Sequence, residues 1–396
     1  MKKMLMVTGL PVWSIRKGVG APSFYKTIEL YNNNDWKIDF WTTEKKLDLS
    51  EFENVLIRRM PSVIPLIQIP IIYSLLRNLR FIINQVILLF TFLFSANKKY
   101  DIIYGYEVEF IPGLKLISKI IGIPFISRFQ GTILHPLMKK KCWKLHYLPH
   151  SWAIAIESSL TIMTDDGTLG DEVISVLRGE TIGNCWFVRN GVDDHQILEE
   201  NLSQKLLNLV KDKKSFNLFL SVSRIQSWKR IDRSLDIFKK VLEKEPQSIY
   251  LIGGDGAKKE EWMEYASKLG ISENVFFLGG INKDEVYYLQ QEADFFLSSY
   301  ELSNMGNPLF EAMKNGCVVV TINNGSTGKM IKDNVNGIIS NEDKYLDNSN
   351  KIISLLNDTK HYDRTLACSL STFDNEFTTW DLRMKNELSK VGGLLL

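Results

Sequence analysis

Along the chain, short apolar runs alternate with longer stretches in which apolar residues recur at helical spacing. In the first half the runs are MLMVTGL (4–10), WKIDFWTT (36–43), YDIIYGY (100–106), IPFISRF (123–129), LTIMTDD (160–166) and NCWFVRN (184–190). In the second half they are LFLSVSR (218–224), SIYLIGG (248–254), NVFFLGG (274–280), ADFFLSS (293–299) and CVVVTIN (317–323). Short β-rich runs separated by helical patterns predict βαβ units and a doubly wound parallel sheet. The alternation lapses once, at NGVDDHQILEENLSQKL (190–206), where Asn-Gly and a charged polar run intervene. A chain of 396 residues exceeds one ordinary core, so two α/β domains are expected. We place the first at 1–193 and the second at 194–375, with a C-terminal helix over 376–396 packing back on the first.

Two apolar features depart from this rhythm. MKKMLMVTGLPVW opens with lysines like a signal peptide, but its apolar run is short and breaks at Gly9 and Pro11, so it reads as a first strand. FIINQVILLFTFLFSA, Phe81–Ala96, is apolar on every side of a helix except at Asn84 and Gln85. It falls short of the ~20 residues that span a bilayer. Two readings stand: a helix buried against the first domain's sheet, and a helix lying on a membrane surface.

Charge bears on that choice. The net charge of +2 hides an asymmetry: residues 1–193 hold 23 Lys and Arg against 17 Asp and Glu, the remainder 25 against 29. Residues 58–144 alone contain 13 basic side chains and three acids, Asp101, Glu107 and Glu109. Arg77, Arg80, Lys98 and Lys99 flank the apolar helix, and KKKCWKLH (139–146) sets more lysines beside a tryptophan. That bias favours anionic partners such as phosphates or acidic lipid headgroups. Nucleic acid is disfavoured, because long aliphatic runs interrupt the basic residues and no reading motif is present. Cys142, Cys185, Cys317 and Cys368 stand far apart with no CxxC pair, which argues against a disulfide framework or a structural zinc and fits a cytoplasmic setting.

In open α/β sheets ligands lie beyond the carboxyl ends of the strands. In SRIQSWKRIDRSLDIF (223–238), Arg224 and Lys229 follow a strand at a helix entrance, an arrangement suited to a diphosphate; a solvated turn of Arg224, Lys229, Arg230 and Arg233 is the plainer reading. In SYELSNMGNPLFEAMKNG (299–316), Asn307 is predicted to cap a helix, Pro308 to open it and Gly316 to end it. Its N-terminus would face an anion, with Gly306 allowing close approach. Glu311, one turn in, suits ribose hydroxyls better than phosphate, or merely complements the helix dipole. LIGGDGAKKEEW (251–262) and IRKGVGAPSFYKTIELY (15–31), with Gly18 and Gly20, are weaker glycine-rich signals. Glu107 and Gln130 follow strand runs and are expected to point into one cleft.

Taken in order, YDIIYGYEVEFIPGLKLISKIIGIPFISRFQGT, VRNGVD, VSRIQSWK, GGDG, NVFFLGGI, NPLFEAMKNGCVVVT, NGSTGKMIKDNVNGIIS and FTTWDLRMK resemble the GT-B glycosyltransferases, most closely the large retaining family 4. The resemblance covers nearly the whole chain. It implies two Rossmann-like domains facing a central cleft, a nucleotide-sugar donor such as a UDP- or GDP-sugar on the second and a glycan or lipid-linked acceptor on the first. It further implies that Arg224 and Lys229 neutralise the donor diphosphate and that Glu311, the second acid of an E-x7-E motif, holds the ribose. Gly306, Asn307, Pro308 and Leu309 line the phosphates and sugar, Gly254 and Ile281 complete the donor side, and Gly18, Gly20, Glu107 and Gln130 stand on the acceptor side. Cations and a helix dipole aimed at the leaving diphosphate make a metal unnecessary, and no Asp-x-Asp is present.

Three positions depart from the family pattern: Ser303 stands where the first acid belongs, with Glu301 two residues early; Gln130 replaces a common histidine; and Lys329 replaces an acid. The expected protein is a retaining, metal-independent transferase of polysaccharide biosynthesis, cytoplasmic and peripheral to the membrane. The alternatives are a catalytically silent sugar-nucleotide-binding scaffold, or a sugar-nucleotide epimerase or hydrolase on the same fold.

Overall fold

The computed structural model describes residues 1–10, 15–16, 19–20, 22–62, 70–95, 99–179, 183–211 and 215–395. The chain runs β1 (Lys2–Thr8), β2 (Ile15–Arg16), β3 (Val19–Gly20), α1 (Pro22–Asn32), β4 (Trp36–Thr42), β5 (Val55–Arg59), α2 (Pro70–Leu93), β6 (Ile102–Tyr106), α3 (Ile111–Ile121), β7 (Phe125–Phe129), α4 (Trp143–His146), α5 (Leu148–Ala155), β8 (Leu160–Thr164), α6 (Gly170–Arg178) and β9 (Cys185–Val188). It continues α7 (Gln204–Val210), β10 (Asn217–Val222), α8 (Ile231–Leu242), β11 (Ser248–Gly253), α9 (Lys259–Lys268), β12 (Val275–Gly279), α10 (Lys283–Glu292), β13 (Phe295–Ser298), α11 (Asn307–Lys314), β14 (Val318–Asn323), α12 (Thr327–Met330), β15 (Ile338–Asn341), α13 (Asp347–Leu356), α14 (Thr359–Glu376) and α15 (Trp380–Gly393). Two compact units result: Met1–Asp165, Leu169–Asn190 and Trp380–Leu396 form one, Asp166–Thr168 and Gly191–Thr379 the other.

The first unit is built on a seven-stranded parallel sheet in the order β5-β4-β1-β6-β7-β8-β9. β1 and β6–β8 are buried almost throughout, as strands covered on both faces must be, and their near-continuous apolar runs follow from that. One apolar core, with Leu5, Trp41, Ile103 and Phe125, fills one side of the sheet; another, with Met4, Phe40, Tyr104 and Ile162, fills the other. The second unit carries a six-stranded parallel sheet, β12-β11-β10-β13-β14-β15, again between two cores.

Strand order reverses at β1/β6 in one sheet and at β10/β13 in the other. At such a reversal the crossover helices leave toward opposite faces, so the two strand ends open a crevice between their loops. Chain order thereby sets the loop after β10 beside the loop after β13, and the loop after β6 beside those after β1 and β7.

α2 corrects the length of the apolar helix and the reading that buries all of it. It begins at Pro70, eleven residues before the run, because proline is preorganised for the first helical turn, and its 24 residues end at Leu93. Its stretch Tyr73–Leu93 is long and apolar enough to cross a membrane, yet only 28% of that window is buried. Phe81, Asn84, Gln85, Leu88 and Phe92 face the domain. The two polar residues anchor that face: Asn84 donates to the Glu109 carboxylate, Gln85 Nε2 donates to the Phe81 and Glu109 carbonyls at 2.7 Å each, and Gln85 Oε1 accepts from Gly113 N–H at 2.9 Å. On the opposite side Leu75, Leu79, Ile82, Val86, Phe90 and Leu93 are exposed. Spaced by three and four, they form one apolar stripe.

α15 belongs to the first unit. It delivers Arg383 and Glu387 into the interior, where Glu387, fully buried, accepts from Arg128 Nη1 at 2.6 Å, from Tyr104 Oη at 2.8 Å and from the Arg383 guanidinium. Burial pushes the Glu387 carboxyl up, but Arg383 and Arg128 more than reverse this and hold it below the usual carboxylate range.

Candidate donor-binding site

The β10/β13 strand ends and α11 carry the candidate chemistry of the second unit. After β10 the chain turns through Arg224, which is exposed, and reaches Lys229. Lys229 Nζ lies 3.6 Å from the centroid of Tyr300 and 4.2 Å from that of Trp228. The loop after β13 joins this turn through Glu301 N–H, which donates to the Trp228 carbonyl at 2.9 Å. The four cations of the basic stretch therefore separate. Arg230 pairs with Asp232 at 2.7 Å and Arg233 with Glu342 at 2.5 Å, whereas Lys229 has no carboxylate at ion-pair distance among the described residues. The solvated-turn reading does not suffice for it, because Lys229 is half-buried and two aromatic rings flank its ammonium.

The Lys229 pKa falls to about 7, chiefly through burial and next through neighbouring Arg224, with Asp166 partly offsetting both. Glu311 shows the mirror effect. Burial raises its carboxyl to about 7, opposed by Lys283 and Lys314, and no hydrogen bond reaches that carboxylate among the described residues. A cation and an acid, each partly buried and only partly offset by the opposite charges near it, mark a place where a ligand can complete the balance.

α11 starts differently from its predicted form. Gly306, not Asn307, is the N-cap, and no side chain caps the helix; Asn307 is its first helical residue and Nδ2 donates to the Gly191 carbonyl at 3.4 Å. Pro308 lies in the first turn, where its missing N–H costs nothing, and its carbonyl accepts from Gln290 Nε2 at 3.2 Å. Leu309 corrects a sequence assignment: it is 2% exposed in the core, and its N–H already donates to the Gly306 carbonyl at 3.1 Å. It therefore shapes the helix instead of offering a free donor. Gly316 follows the helix at φ +95°, the left-handed conformation expected of a terminating glycine.

The glycine-rich turn after β11 has a local reason. A Cβ on Gly254, at φ +131°, would lie 1.8 Å from the Ser223 carbonyl oxygen, and one on Gly256 would lie 2.3 Å from that of Ile225. These glycines let the turn press against the backbone on either side of Arg224, and Ile225 N–H donates to the Asp255 carbonyl at 2.9 Å. Ile281 packs at the same strand end, where a Cβ on Gly253 would strike its Cδ1 at 2.4 Å.

In the first unit the structure brings Glu107 and Gln130 together: Gln130 N–H donates to Glu107 Oε1 at 2.7 Å, and Gln130 Nε2 donates to Tyr106 Oη at 2.6 Å. Tyr106 Oη also meets Ser23 Oγ at 2.9 Å, at the start of α1. Glu107 adopts φ +64°, a conformation uncommon for a side chain of its size. Gly20 closes the β2–β3 hairpin just before α1; Gly18 lies outside the described residues.

Several participants carried no sequence signal. Asn304, fully buried, accepts from Tyr300 N–H at 3.0 Å and donates to the Tyr300 carbonyl and to Asn324 Oδ1 at 2.8 Å each. Asn324 Nδ2 in turn donates to the carbonyls of Tyr300 and Glu301 at 2.9 and 3.0 Å. The loop before α11 is thus pinned by Asn304 and Asn324. Ser303 sits there at φ +58°, its hydroxyl donating to Asp166 Oδ2 at 2.7 Å. Asp166 precedes Ser303 by 137 positions, and only folding reveals the pairing.

Comparison with known proteins is consistent with this geometry. Residues 206–366 match the family described as Glycosyl transferases group 1. Alpha-monoglucosyldiacylglycerol synthase of Streptococcus pneumoniae is 30% identical over 145 residues, 36% of this chain and 32% of that protein. The Vi polysaccharide biosynthesis protein VipC/TviE of Salmonella typhi is 25% identical over 233 residues, 57% and 39% of the two chains. The chain thus spans less than two thirds of either relative. Among solved structures, Anabaena HepE in complex with UDP and glucose aligns at a TM-score of 0.68 with 15% identity, covering 99% of this chain and 100% of that one. WaaG, a glycosyltransferase involved in lipopolysaccharide biosynthesis, aligns at 0.66 with 14% identity over 94% and 95%. At those identities the likeness is one of fold, and the fold is GT-B.

Proposed function

We propose that this chain, a GT-B protein whose residues 206–366 belong to the group 1 glycosyl transferases, transfers a sugar with retained configuration from a nucleotide-sugar to a glycan or lipid-linked acceptor in surface or secreted polysaccharide biosynthesis. One observation carries the reading: at the strand ends that the sheet reversal sets at one end of the second unit, burial holds Lys229 and Glu311 off their usual pKa values, and among the described residues Lys229 has no ion pair and Glu311 no hydrogen bond. A donor nucleotide answers both needs, with diphosphate on Lys229 and Arg224 and ribose hydroxyls on Glu311. As the sugar–phosphate bond breaks, charge gathers on the departing diphosphate. Cations already fixed at the strand end, Lys229 between aromatic rings, stabilise that charge without reorganising, and no metal is required for this step.

The acceptor side of the proposal rests on the first unit. Its α2 stripe is apolar and exposed, and Arg77 of α2 reaches the lysine-rich segment by donating to the His146 carbonyl at 3.1 Å and stacking 3.7 Å from the Tyr147 centroid. An exposed apolar stripe on α2, in a unit that also carries Lys139, Lys140, Lys141 and Lys144, suits the inner face of a plasma membrane, where a lipid-linked acceptor resides. The name of the S. pneumoniae relative, Alpha-monoglucosyldiacylglycerol synthase, supports a lipid acceptor, and that of the S. typhi relative supports polysaccharide biosynthesis.

The test is transfer itself. The chain is incubated with UDP- and GDP-sugars and bacterial membrane lipids, with and without EDTA, and nucleoside diphosphate release and glycosylated product are followed, the anomeric configuration being read by NMR. The expected result is acceptor-dependent release, insensitive to EDTA, with retained configuration and a loss of at least tenfold in Lys229→Ala. Equal release with and without acceptor, or none, contradicts the reading.

A further inference from the structure

Glu301, on the loop between β13 and α11, is held by its backbone while its side chain stands uncommitted. Its N–H donates to the Trp228 carbonyl at 2.9 Å, and its carbonyl accepts from Asn324 Nδ2 at 3.0 Å. The preceding residue is held as firmly: Tyr300 N–H donates to Asn304 Oδ1 at 3.0 Å, and the Tyr300 carbonyl accepts from Asn304 Nδ2 at 2.8 Å and from Asn324 Nδ2 at 2.9 Å. Backbone groups on a surface loop are ordinarily left to water. Here the turn after β10 and the loop after β14 together fix the point from which the Glu301 side chain leaves.

That side chain is exposed, and its carboxylate has no hydrogen bond or ion pair among the described residues. Arg230 feels its charge but is already engaged: Arg230 Nε and Nη2 donate to Asp232 Oδ2 at 3.0 and 2.7 Å, and it is Asp232 first, with Glu301 a lesser influence, that raises the Arg230 pKa. The Lys229 ammonium lies over the rings of Tyr300 and Trp228, which meet edge to face at 6.2 Å. Lys229 follows Trp228 in the chain and Glu301 follows Tyr300, so the cation assigned to the diphosphate and the uncommitted acid spring from one aromatic pair. The fold would lose no hydrogen bond if the acid were neutral. Ser303, two residues on, offers no substitute, because its hydroxyl proton is spent on Asp166 at 2.7 Å.

A carboxylate beside a diphosphate site repels the diphosphate, so Glu301 weakens nucleotide binding unless it takes up another part of the ligand. The ribose is answered by Glu311. What remains is the sugar bonded to the second phosphate, whose neutral, vicinal hydroxyls are donors, and an ionised carboxylate is an acceptor with two oxygens to offer them. We propose that Glu301 holds the hydroxyls of the donor sugar, next to the phosphate that Lys229 neutralises, and so favours a hydroxyl-bearing sugar nucleotide over the bare nucleoside diphosphate. The inference rests on the nucleotide-sugar reading above.

The test compares affinities in the full chain at pH 6, where Lys229 is charged, and in EDTA, so that no metal joins the acid to the phosphates. Calorimetry with UDP, GDP, UDP-glucose, UDP-galactose, UDP-N-acetylglucosamine and GDP-mannose identifies the tightest pair of nucleotide-sugar and parent diphosphate for the native chain. Glu301→Gln keeps the side chain's size and removes its charge. Because the fold loses no bond, the midpoint of thermal unfolding should move by less than about 3 °C. The variant is expected to bind the diphosphate as tightly as the native chain or up to threefold more tightly, and the nucleotide-sugar at least tenfold more weakly. Analogues of that nucleotide-sugar lacking one sugar hydroxyl each separate contact from a diffuse effect of charge. At least one should bind the native chain tenfold more weakly than its parent does, and Glu301→Gln less than threefold more weakly. Equal weakening of both ligands, no weakening, a cost of deoxygenation undiminished in the variant, or a larger fall in the unfolding midpoint overturns the role of Glu301 while leaving the donor site standing. If the native chain binds none of the nucleotides, the donor-site reading falls and this inference with it.

Discussion

The Lys229 ammonium lies 3.6 Å from the centroid of the Tyr300 ring. That contact joins the turn after β10 to the loop after β13 and gives the cation a π face in place of water. It does not offset desolvation fully, since the pKa falls to about 7. Lys229→Met is accordingly expected to stabilise the empty protein by about 1 kcal/mol in chemical denaturation at pH 7 and below. It is also expected to weaken nucleoside diphosphate binding about 10- to 100-fold, as removal of a charged hydrogen bond does. A site that is costly when empty is built for its ligand. The sign with pH follows: a lysine depressed on folding makes the native state lose stability as pH falls from the unfolded value near 10.5 through 7. The variant's gain should therefore vanish toward pH 10.

Proton exchange on binding is the second prediction. A bound diphosphate favours the Lys229 ammonium, while ribose hydroxyls favour the Glu311 carboxylate, whose empty-state pKa is raised to about 7. Above pH 7 the neutral lysine takes up a proton on binding; below pH 7 the neutral acid releases one. Titration calorimetry in buffers of different ionisation enthalpy should give a net uptake approaching about one proton at pH 8 and a net release at pH 6. Lys229→Met should abolish the uptake and Glu311→Gln the release. A proton count independent of pH would show that neither group meets the nucleotide.

Much of this was legible in the sequence, and the failures have physical causes. Strands buried on both faces announce themselves as apolar runs, so β1, β4, β6–β8, β10–β14 and the parallel-sheet class follow from pattern alone. β5 and β15 escaped because their apolar runs are short or broken: VLIRR carries two arginines and an exposed Leu56, and IISN is four residues long. Arg224, Lys229 and Glu311 were readable because strand–turn–helix signals surround them. Asp166 was not, since its meaning lies in a hydrogen bond across 137 positions. Nor were Asn304 and Asn324, whose composition reads as flexibility and whose hydrogen bonds make rigidity. For α2, apolarity could not say which face was covered; Asn84 and Gln85, which looked like blemishes in an apolar helix, are the groups that fasten it.

That fastening yields a third prediction. Leu79, Val86 and Phe90 are each at least 45% exposed, so replacing all three with Gln removes little core packing and should move the midpoint of thermal unfolding by less than about 3 °C. Flotation with vesicles of anionic phospholipid should carry the native chain to the buoyant fraction at low salt, and the triple variant at least tenfold less. Vesicles of neutral phospholipid should retain little of either. Equal flotation of native and variant chains would remove the stripe from the account.

The fourth prediction concerns α15. Glu387→Ala leaves Arg128 and Arg383 buried without their carboxylate, which should cost about 3–5 kcal/mol in the first unit. Glu387→Gln keeps the shape but not the charge, and should lie between. Because the folded pKa of Glu387 is depressed, its contribution is present above the unfolded value near 4.5 and is lost as pH falls through the folded one. Chemical denaturation of the native chain and both variants at pH 7 and pH 4 reads the difference; a cost under 1 kcal/mol for Glu387→Ala at pH 7 would mean that α15 is held by its apolar contacts alone.

The central claim is that a nucleoside diphosphate is held by Lys229 and Arg224 with its ribose on Glu311. A crystal structure of the full chain soaked with UDP or GDP tests it most directly. The account predicts diphosphate oxygens within hydrogen-bond distance of Lys229 Nζ and the Arg224 guanidinium, and ribose hydroxyls on the Glu311 carboxylate. A nucleotide bound elsewhere, or bound with all three side chains out of contact, contradicts it.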